Sequence, residues 1–265
     1  MATSRGLGVI IPHYSRADLL LGALASVQGH PTWVVDDSPT GLESGALPSG
    51  VQVLRTAGEE GFARACNRGL EAVQQAGLPL GLLLNDDATP LDDCIPLLLD
   101  AQLTHPQAGA LAPVLVDRDG RVESAGIRVH RHSARVHQIT RVPTATTRVD
   151  ALSGACLLLA SHRRLDERYR FGFEDIALCR SLAAQGHPPL LVPQARCRHH
   201  GGATVPRRSR AATRHALAGH LRLVEDHPWQ RPLVLGWALI QLVHEGGSAG
   251  RMGGLWEGWR DIEGF

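Results

Sequence analysis

Two junctions constrain this chain more than any other feature: short apolar runs that close on consecutive acids. Val34-Val35 runs into Asp36-Asp37-Ser38, and Leu80 to Leu84 runs into Asn85-Asp86-Asp87. Short continuous apolar runs suit strands buried on both faces, as in parallel sheets covered by helices. In such sheets ligands collect outside the carboxyl ends of the strands, where these acids stand.

The surrounding pattern agrees. Leu7 to Ile11 is an apolar run closed by Pro12, and Ala17 to Gln28 has helical spacing after a candidate Ser15 cap. Val51 to Leu54 reads as a strand and Phe62 to Gln75 as a helix. A helix is expected around 91–104, a strand over 110–116 with a turn at 117–120, and a hairpin or mobile loop over 121–150. Further expectations are a strand over 149–160 broken at Ser153-Gly154-Ala155, a helix over 176–185, a short strand over 190–192, then an Arg-rich helix and a Gly-rich tail. The alternation predicts an α/β fold with one Rossmann-like, mostly parallel sheet flanked by helices. Residues 1–204 would form it, and 205–265 a C-terminal helical extension.

Composition excludes several functions. The 27 basic and 26 acidic residues nearly cancel, which argues against a nucleic-acid binder held by a large positive field. All of the basic residues are Arg, so no mechanism through a lysine Schiff base is available. Five cysteines without a C-x-x-C pair read as reduced and mostly buried. Neither a signal peptide nor a membrane-spanning run is recognised, since Leu233 to Val243 is about half the ~20 residues needed to cross a bilayer. The expectation is a cytoplasmic protein, at the inner face of a membrane if it touches one.

Four places could carry chemistry. Asp36 suits a nucleotide hydroxyl or base, or equally a turn. Asn85 and Asp87 offer hard oxygens for Mg²⁺ or Mn²⁺, and Asp87 could equally cap a helix entered through Thr89-Pro90. Glu174-Asp175 opens a helix, a setting that favours an ionised base as well as plain capping. His199-His200 ends the last strand and could supply a metal ligand.

Taken in order, Val9 to Arg16, Val34 to Ser38, Gly61 to Gly69, Leu83 to Asp87, Gly154-Ala155-Cys156, Gly172 to Asp175 and His199 to Gly202 resemble glycosyltransferase family 2, with its GT-A fold, and most nearly its bacterial rhamnosyltransferase-like members. The resemblance implies an inverting, metal-assisted transfer from a nucleoside-diphosphate sugar to a hydroxyl of a glycan, a lipid-linked glycan or a small molecule, in polysaccharide synthesis. It implies that Pro12, Tyr14, Asp36, Gly61, Asn67 and Asp86 line the nucleotide site, with Asp36 facing the base and Asn67 in the first turn of a helix. Asp87, Asn85 and His199 would hold Mn²⁺ or Mg²⁺, with His200 as the substitute for His199. Asp175 would be the base and Glu174 its neighbour on the acceptor side. Asn85 departs from the family's D-x-D pattern, in which an acid stands first. Two other classes stay open, a sugar-phosphate nucleotidyltransferase and a catalytically degenerate nucleotide-binding protein. Four tryptophans, Trp229, Trp237, Trp256 and Trp259, would pack a helical subdomain or a homodimer interface.

Overall fold

All seven residues of the first strand, β1 (Leu7–His13), are buried, so both of its faces must be covered. The computed structural model describes residues 6–42, 47–169, 171–201, 209–244 and 249–263. Gly202, the last residue of the motifs quoted above, lies outside them. After β1 come α1 (Ala17–Ser26), β2 (Thr32–Asp36), β3 (Val51–Arg55), α2 (Phe62–Gln75), β4 (Leu80–Leu84), β5 (Ala88–Pro90) and α3 (Cys94–Thr104). Then follow β6 (Ala110–Val116), β7 (Val122–Ser124), β8 (Ile127–Val129), β9 (Val136–Gln138), β10 (Thr147–Arg148), β11 (Cys156–Ala160), α4 (Glu174–Ala184) and β12 (Pro189–His199). Helices α5 (Arg210–Leu223), α6 (Arg231–His244) and α7 (Ala249–Glu263) end the chain.

The main sheet has the order β10-β12-β6-β11-β4-β1-β2-β3, with β5 on β12 and β7 on β6. Strands β3, β2, β1 and β4 run parallel, β11 is antiparallel to both β4 and β6, and β12 is parallel to β6. Side chains alternate across the sheet as the pleat requires. Ile10 and Leu83 enter a core shared with Cys66, Leu70, Ile176 and Leu182 of α2 and α4. Val9, Ile11, Leu82 and Leu84 face Leu20, Leu24, Ile95 and Leu98 of α1 and α3. The mostly parallel α/β sheet expected from the sequence is the one observed.

Several local expectations change. Ser15 does not cap α1, which begins after Arg16 without a side-chain cap bond. Residues 149–155 are not strand, and β11 starts only at Cys156, after the Ser-Gly-Ala break. The segment 121–150 supplies the β8–β9 hairpin and two short strands on the main sheet. Strand β12 runs far past Val192, because its register shifts between Val192 and Arg196 and pairing resumes with Cys197 inward and Arg196 and Arg198 outward. The glycine-rich end is a helix, not a tail. A Cβ on Gly254 or Gly258 would stand 2.5 or 2.6 Å from the carbonyl oxygen of Arg210 or Arg214, so the glycines let α7 lie close against α5. Arg210–Glu257 and Arg214–Asp261 ion pairs fasten the same two helices. All five cysteines are free and buried.

Candidate active site

Strands β1, β2, β4 and β12 all direct their carboxyl ends to one edge of the sheet, and the predicted acids stand there. The pairing of β5 with β12 aligns His199 with Ala88, which brings the end of β12 beside the end of β4. His199 Nε2 then lies 3.4 Å from Asp87 Oδ1, and the backbone N–H of His200 donates to the Asp87 carbonyl at 3.0 Å. Ala88–Pro90 is a strand, so Asp87 caps no helix. Its buried carboxylate has a different employment.

On its far side the His199 ring meets Glu123, with Nδ1 2.9 Å from Oε2. A carboxylate that accepts from Nδ1 fixes the ring's orientation and aims Nε2 at Asp87, where a metal ion would take the place of the Nε2 proton, the arrangement in which a histidine serves a metal. Burial disfavours charge on His199, but hydrogen bonds to Asp87 and Glu123 outweigh it and raise the ring to about 10. Burial likewise pushes Asp87 up, and the His199 ring overrides that and leaves the carboxyl below its usual value. Two carboxylates converging on one ring amount to an excess of negative charge that a cation neutralises. Asn85 Oδ1 is buried without a hydrogen-bond partner, which costs about 1–3 kcal/mol unless a ligand engages it. A carboxylate, an amide oxygen and one imidazole make a donor set of the kind Mn²⁺ or Mg²⁺ accepts when substrate phosphates complete the shell. The residues fit such an ion with Asn85 and substrate oxygens completing the shell, since among the described residues no three His, Cys, Asp or Glu side chains are placed to hold a metal by themselves.

Asp175 sits in the first turn of α4. Its Oδ2 accepts from the Gly154 N–H at 2.8 Å and its Oδ1 from the Ile176 N–H at 2.7 Å. The next residue, Ala155, accepts through its carbonyl from the Asn85 N–H at 3.0 Å. Two hydrogen bonds on consecutive residues therefore tie Asp175 to the Asn85-Asp86-Asp87 turn. Burial raises the Asp175 pKa, and the backbone amides oppose the rise. Glu174 is 5 % exposed, its Oε2 has no partner, and burial with the neighbouring Asp175 charge pushes it up to about 8. Both adjacent carboxyls are pushed up by burial, and only Asp175 has amide donors on its oxygens that favour the ionised form.

The turn before α4 is held in an unusual backbone conformation. Phe173 has φ 74°, in the left-handed region that costs a non-glycine residue about 1 kcal/mol or more. Its ring is fixed by α5, lying 4.5 Å edge-on from His220 and directly over Gly219.

The nucleotide-side residues fall differently from expectation. Both oxygens of Asp36 are engaged within the protein, Oδ1 by the Ser38 N–H and hydroxyl, and Oδ2 by the Leu42 N–H and Arg55. Asp37 binds Thr56, the Glu60 N–H and the Gly61 N–H, and Gly61 takes φ 102° to enter α2. Neither acid presents a free edge toward a base. Asn67 is in the second turn of α2, not the first, and it is buried. Its amide bonds the Leu165 N–H and carbonyl and the Glu167 carboxylate. Asp86 pairs with His13 at 2.8 Å, Pro12 is buried in β1, and the Tyr14 hydroxyl donates to Glu59 at 2.8 Å. His200 Nδ1 accepts from Arg118 at 2.7 Å. Sequence reasoning missed Glu123 and Glu167, which stand in no motif and matter only through the partners the fold gives them.

The description "Glycosyl transferase family 2" matches residues 8–159. An N-acetylglucosaminyl-diphospho-decaprenol L-rhamnosyltransferase of Mycobacterium tuberculosis is 28% identical over 249 residues, covering 81% of this chain and 78% of that protein. Among solved structures, GalNAc-T7 with UDP, GalNAc and Mn²⁺ superposes with a TM-score of 0.61 at 16% identity, over 83% of this chain and 47% of the other, so the chain spans about half of that structure's length. The mannosyltransferase PcManGT from Pyrobaculum calidifontis, in complex with GDP-Man and Mn²⁺, gives 0.57 at 18% identity, over 92% and 76%. At these identities the superpositions speak for the GT-A fold. With its acids at the carboxyl edge of that sheet and a match over more than half its length, the chain belongs to glycosyl transferase family 2.

Proposed function

We propose that this enzyme moves a sugar from a nucleoside-diphosphate sugar to an acceptor hydroxyl with inversion at the anomeric carbon, in synthesis of a cell-surface polysaccharide or glycoconjugate. The observation that carries the reading is the pair of hydrogen bonds through Gly154 and Ala155, which sets Asp175 beside the turn bearing Asn85 and Asp87. One end of this edge suits a diphosphate and the other suits a reacting hydroxyl.

Asp175 receives the acceptor proton. Its raised pKa makes it a better base than an ordinary aspartate, while the Gly154 and Ile176 amides orient it and favour its ionised form. The acceptor oxygen bonds to the anomeric carbon as the bond from that carbon to the diphosphate oxygen breaks, and the electron pair leaves with the nucleoside diphosphate. Asp87, His199 and Asn85 would hold the divalent cation, which when bound supplies Lewis-acid stabilisation of the leaving diphosphate. Glu123 accepts from His199 Nδ1 and so aims Nε2 at the place the ion would take. Asp36 and Asp37 act on the nucleotide by shaping the loops at 38–42 and 56–61. Pro12, Tyr14, Gly61 and Asp86 line the same side, and residues 1–204 carry this machinery with 205–265 as an extension.

The relative's printed activity supports a lipid-linked acceptor and an L-rhamnosyl donor, and an acceptor of that kind favours action at the inner face of a membrane. The test is a panel of nucleoside-diphosphate sugars screened with Mn²⁺ for thermal stabilisation, followed by transfer to polyprenyl-diphosphate N-acetylglucosamine. A donor that stabilises and is consumed with formation of a longer lipid-linked glycan supports the reading. Synthesis of a nucleotide sugar from nucleoside triphosphate and sugar phosphate would replace it with nucleotidyl transfer.

A further inference from the structure

Helix α6 is apolar on both faces, and only one of them is used. Val234 is buried against Leu217, Leu221 and Val224 of the α5 region, where Ala134 from the turn of the β8–β9 hairpin joins them, and Leu242 on the same side of the helix is buried too. At 100° per residue Leu233, Gly236, Leu239, Ile240 and Val243 fall on the opposite side, within an arc of about 120°. Leu233, Leu239, Ile240 and Val243 are 47, 48, 58 and 79 % exposed, and no charged residue interrupts them. Trp229 just before the helix and Trp256 on α7 are also largely exposed. A contiguous exposed apolar face of this kind marks an interaction surface.

A basic cavity adjoins it. About 630 Å³ opens between the hairpin turn, α4 and the segment leading into α6, and Arg131, His132, Arg148, Arg180, His227 and Trp229 line it. Asp150 is the single carboxylate among the described lining residues, and it already accepts from the Val129 N–H. Trp229 belongs to both features, and Gln230 fastens them by donating to the Arg131 carbonyl at 3.0 Å.

We propose that the outer face of α6 and this adjoining basic cavity dock the protein on an anionic phospholipid surface, with α6 lying in the plane of the interface. Charge selects the occupant. The cavity offers guanidinium groups for phosphate oxygens beside side chains suited to acyl chains, with tryptophan at the boundary where its amphipathic ring is favoured. Two copies paired about a two-fold axis through α6 would instead bring two basic cavities toward one interface. With 14 residues, α6 is too short to cross a bilayer, and no described helix is long and apolar enough to do so.

The inference deepens the lipid-linked acceptor reading and rests on it for its purpose, but its test needs no sugar transfer. The full chain is sedimented with vesicles of phosphatidylcholine alone and of phosphatidylcholine mixed with phosphatidylglycerol. Binding should be at least about ten-fold tighter to the mixed vesicles and should weaken with salt. Ile240→Glu with Val243→Glu should abolish sedimentation while the thermal midpoint is kept, and Arg131→Glu with Arg148→Glu should remove the preference for phosphatidylglycerol. Transfer to a detergent-solubilised acceptor, run in parallel, should survive both changes. Absence of vesicle binding by the unmodified protein, or equal binding by the α6 variant, overturns the proposal. So does a dimer in light scattering that the α6 variant dissolves. Failure of transfer in the unmodified protein would instead count against the proposed function.

Discussion

His199 Nε2 faces Asp87 Oδ1 across 3.4 Å because β5 and β12 pair antiparallel and align His199 with Ala88. Residues 112 positions apart become one site through three residues of strand. The metal reading depends on this pairing, and on Glu123 holding the other ring nitrogen. Glu123→Gln leaves Asp87, His199 and Asn85 in place and removes only the negative charge behind the His199 ring. It should lower affinity for Mn²⁺ with nucleoside diphosphate by about ten-fold, as such partners do elsewhere. Titration calorimetry reads this, and Asp87→Ala should remove metal-supported donor binding altogether.

Glu174 gives a pH dependence with a defined sign. Burial raises it from 4.5 to about 8, so between these values the folded state keeps a proton that the unfolded chain releases. The folded state binds more protons, and stability falls as pH rises through that window, by at most about 1.4 kcal/mol per pH unit for this one group. Glu174→Gln should flatten the slope. Urea unfolding of both proteins from pH 5 to 9 measures it.

Gly219 is where the C-terminal helices touch the turn that carries Glu174 and Asp175. A Cβ there would stand 2.4 Å from the Phe173 ring, which has no room to retreat while its backbone is held at φ 74°. Gly219→Val should therefore displace the turn that carries Glu174 and Asp175. We expect kcat to fall by about 10²-fold with donor affinity unchanged. Steady-state kinetics combined with calorimetry separates this from general unfolding, which would remove both.

Asn67 should behave as a structural residue. Its amide satisfies the Leu165 N–H and carbonyl and the Glu167 carboxylate, so Asn67→Ala leaves buried groups unpaired and should cost about 1–3 kcal/mol. Chemical denaturation should register the loss, and nucleotide affinity should not change.

Much of this was legible in the sequence because periodicity reports burial. The bounds of α2, β4 and β6 follow from uninterrupted apolar patterns, and the acids stand where those runs stop. What the sequence concealed were partnerships. Asp36 and Asp37 stand at a ligand-binding edge, yet turns at 38–42 and 56–61 fold back onto them, and nothing local announces that. Glu123 sits in an unpatterned stretch and acquires a role only when β7 joins β6 beside the end of β12. The glycines of α7 suggest a breaker in isolation, whereas against α5 they permit close packing whose benefit is tertiary.

The central claim is that Asp175 takes the acceptor proton. Asp175→Asn keeps the side chain's size and Oδ1 as an acceptor but abolishes the base. With a consumed donor identified, single-turnover transfer by this variant should be slower by about 10³-fold or more, with the donor dissociation constant unchanged. Transfer at the unmodified rate would contradict the account.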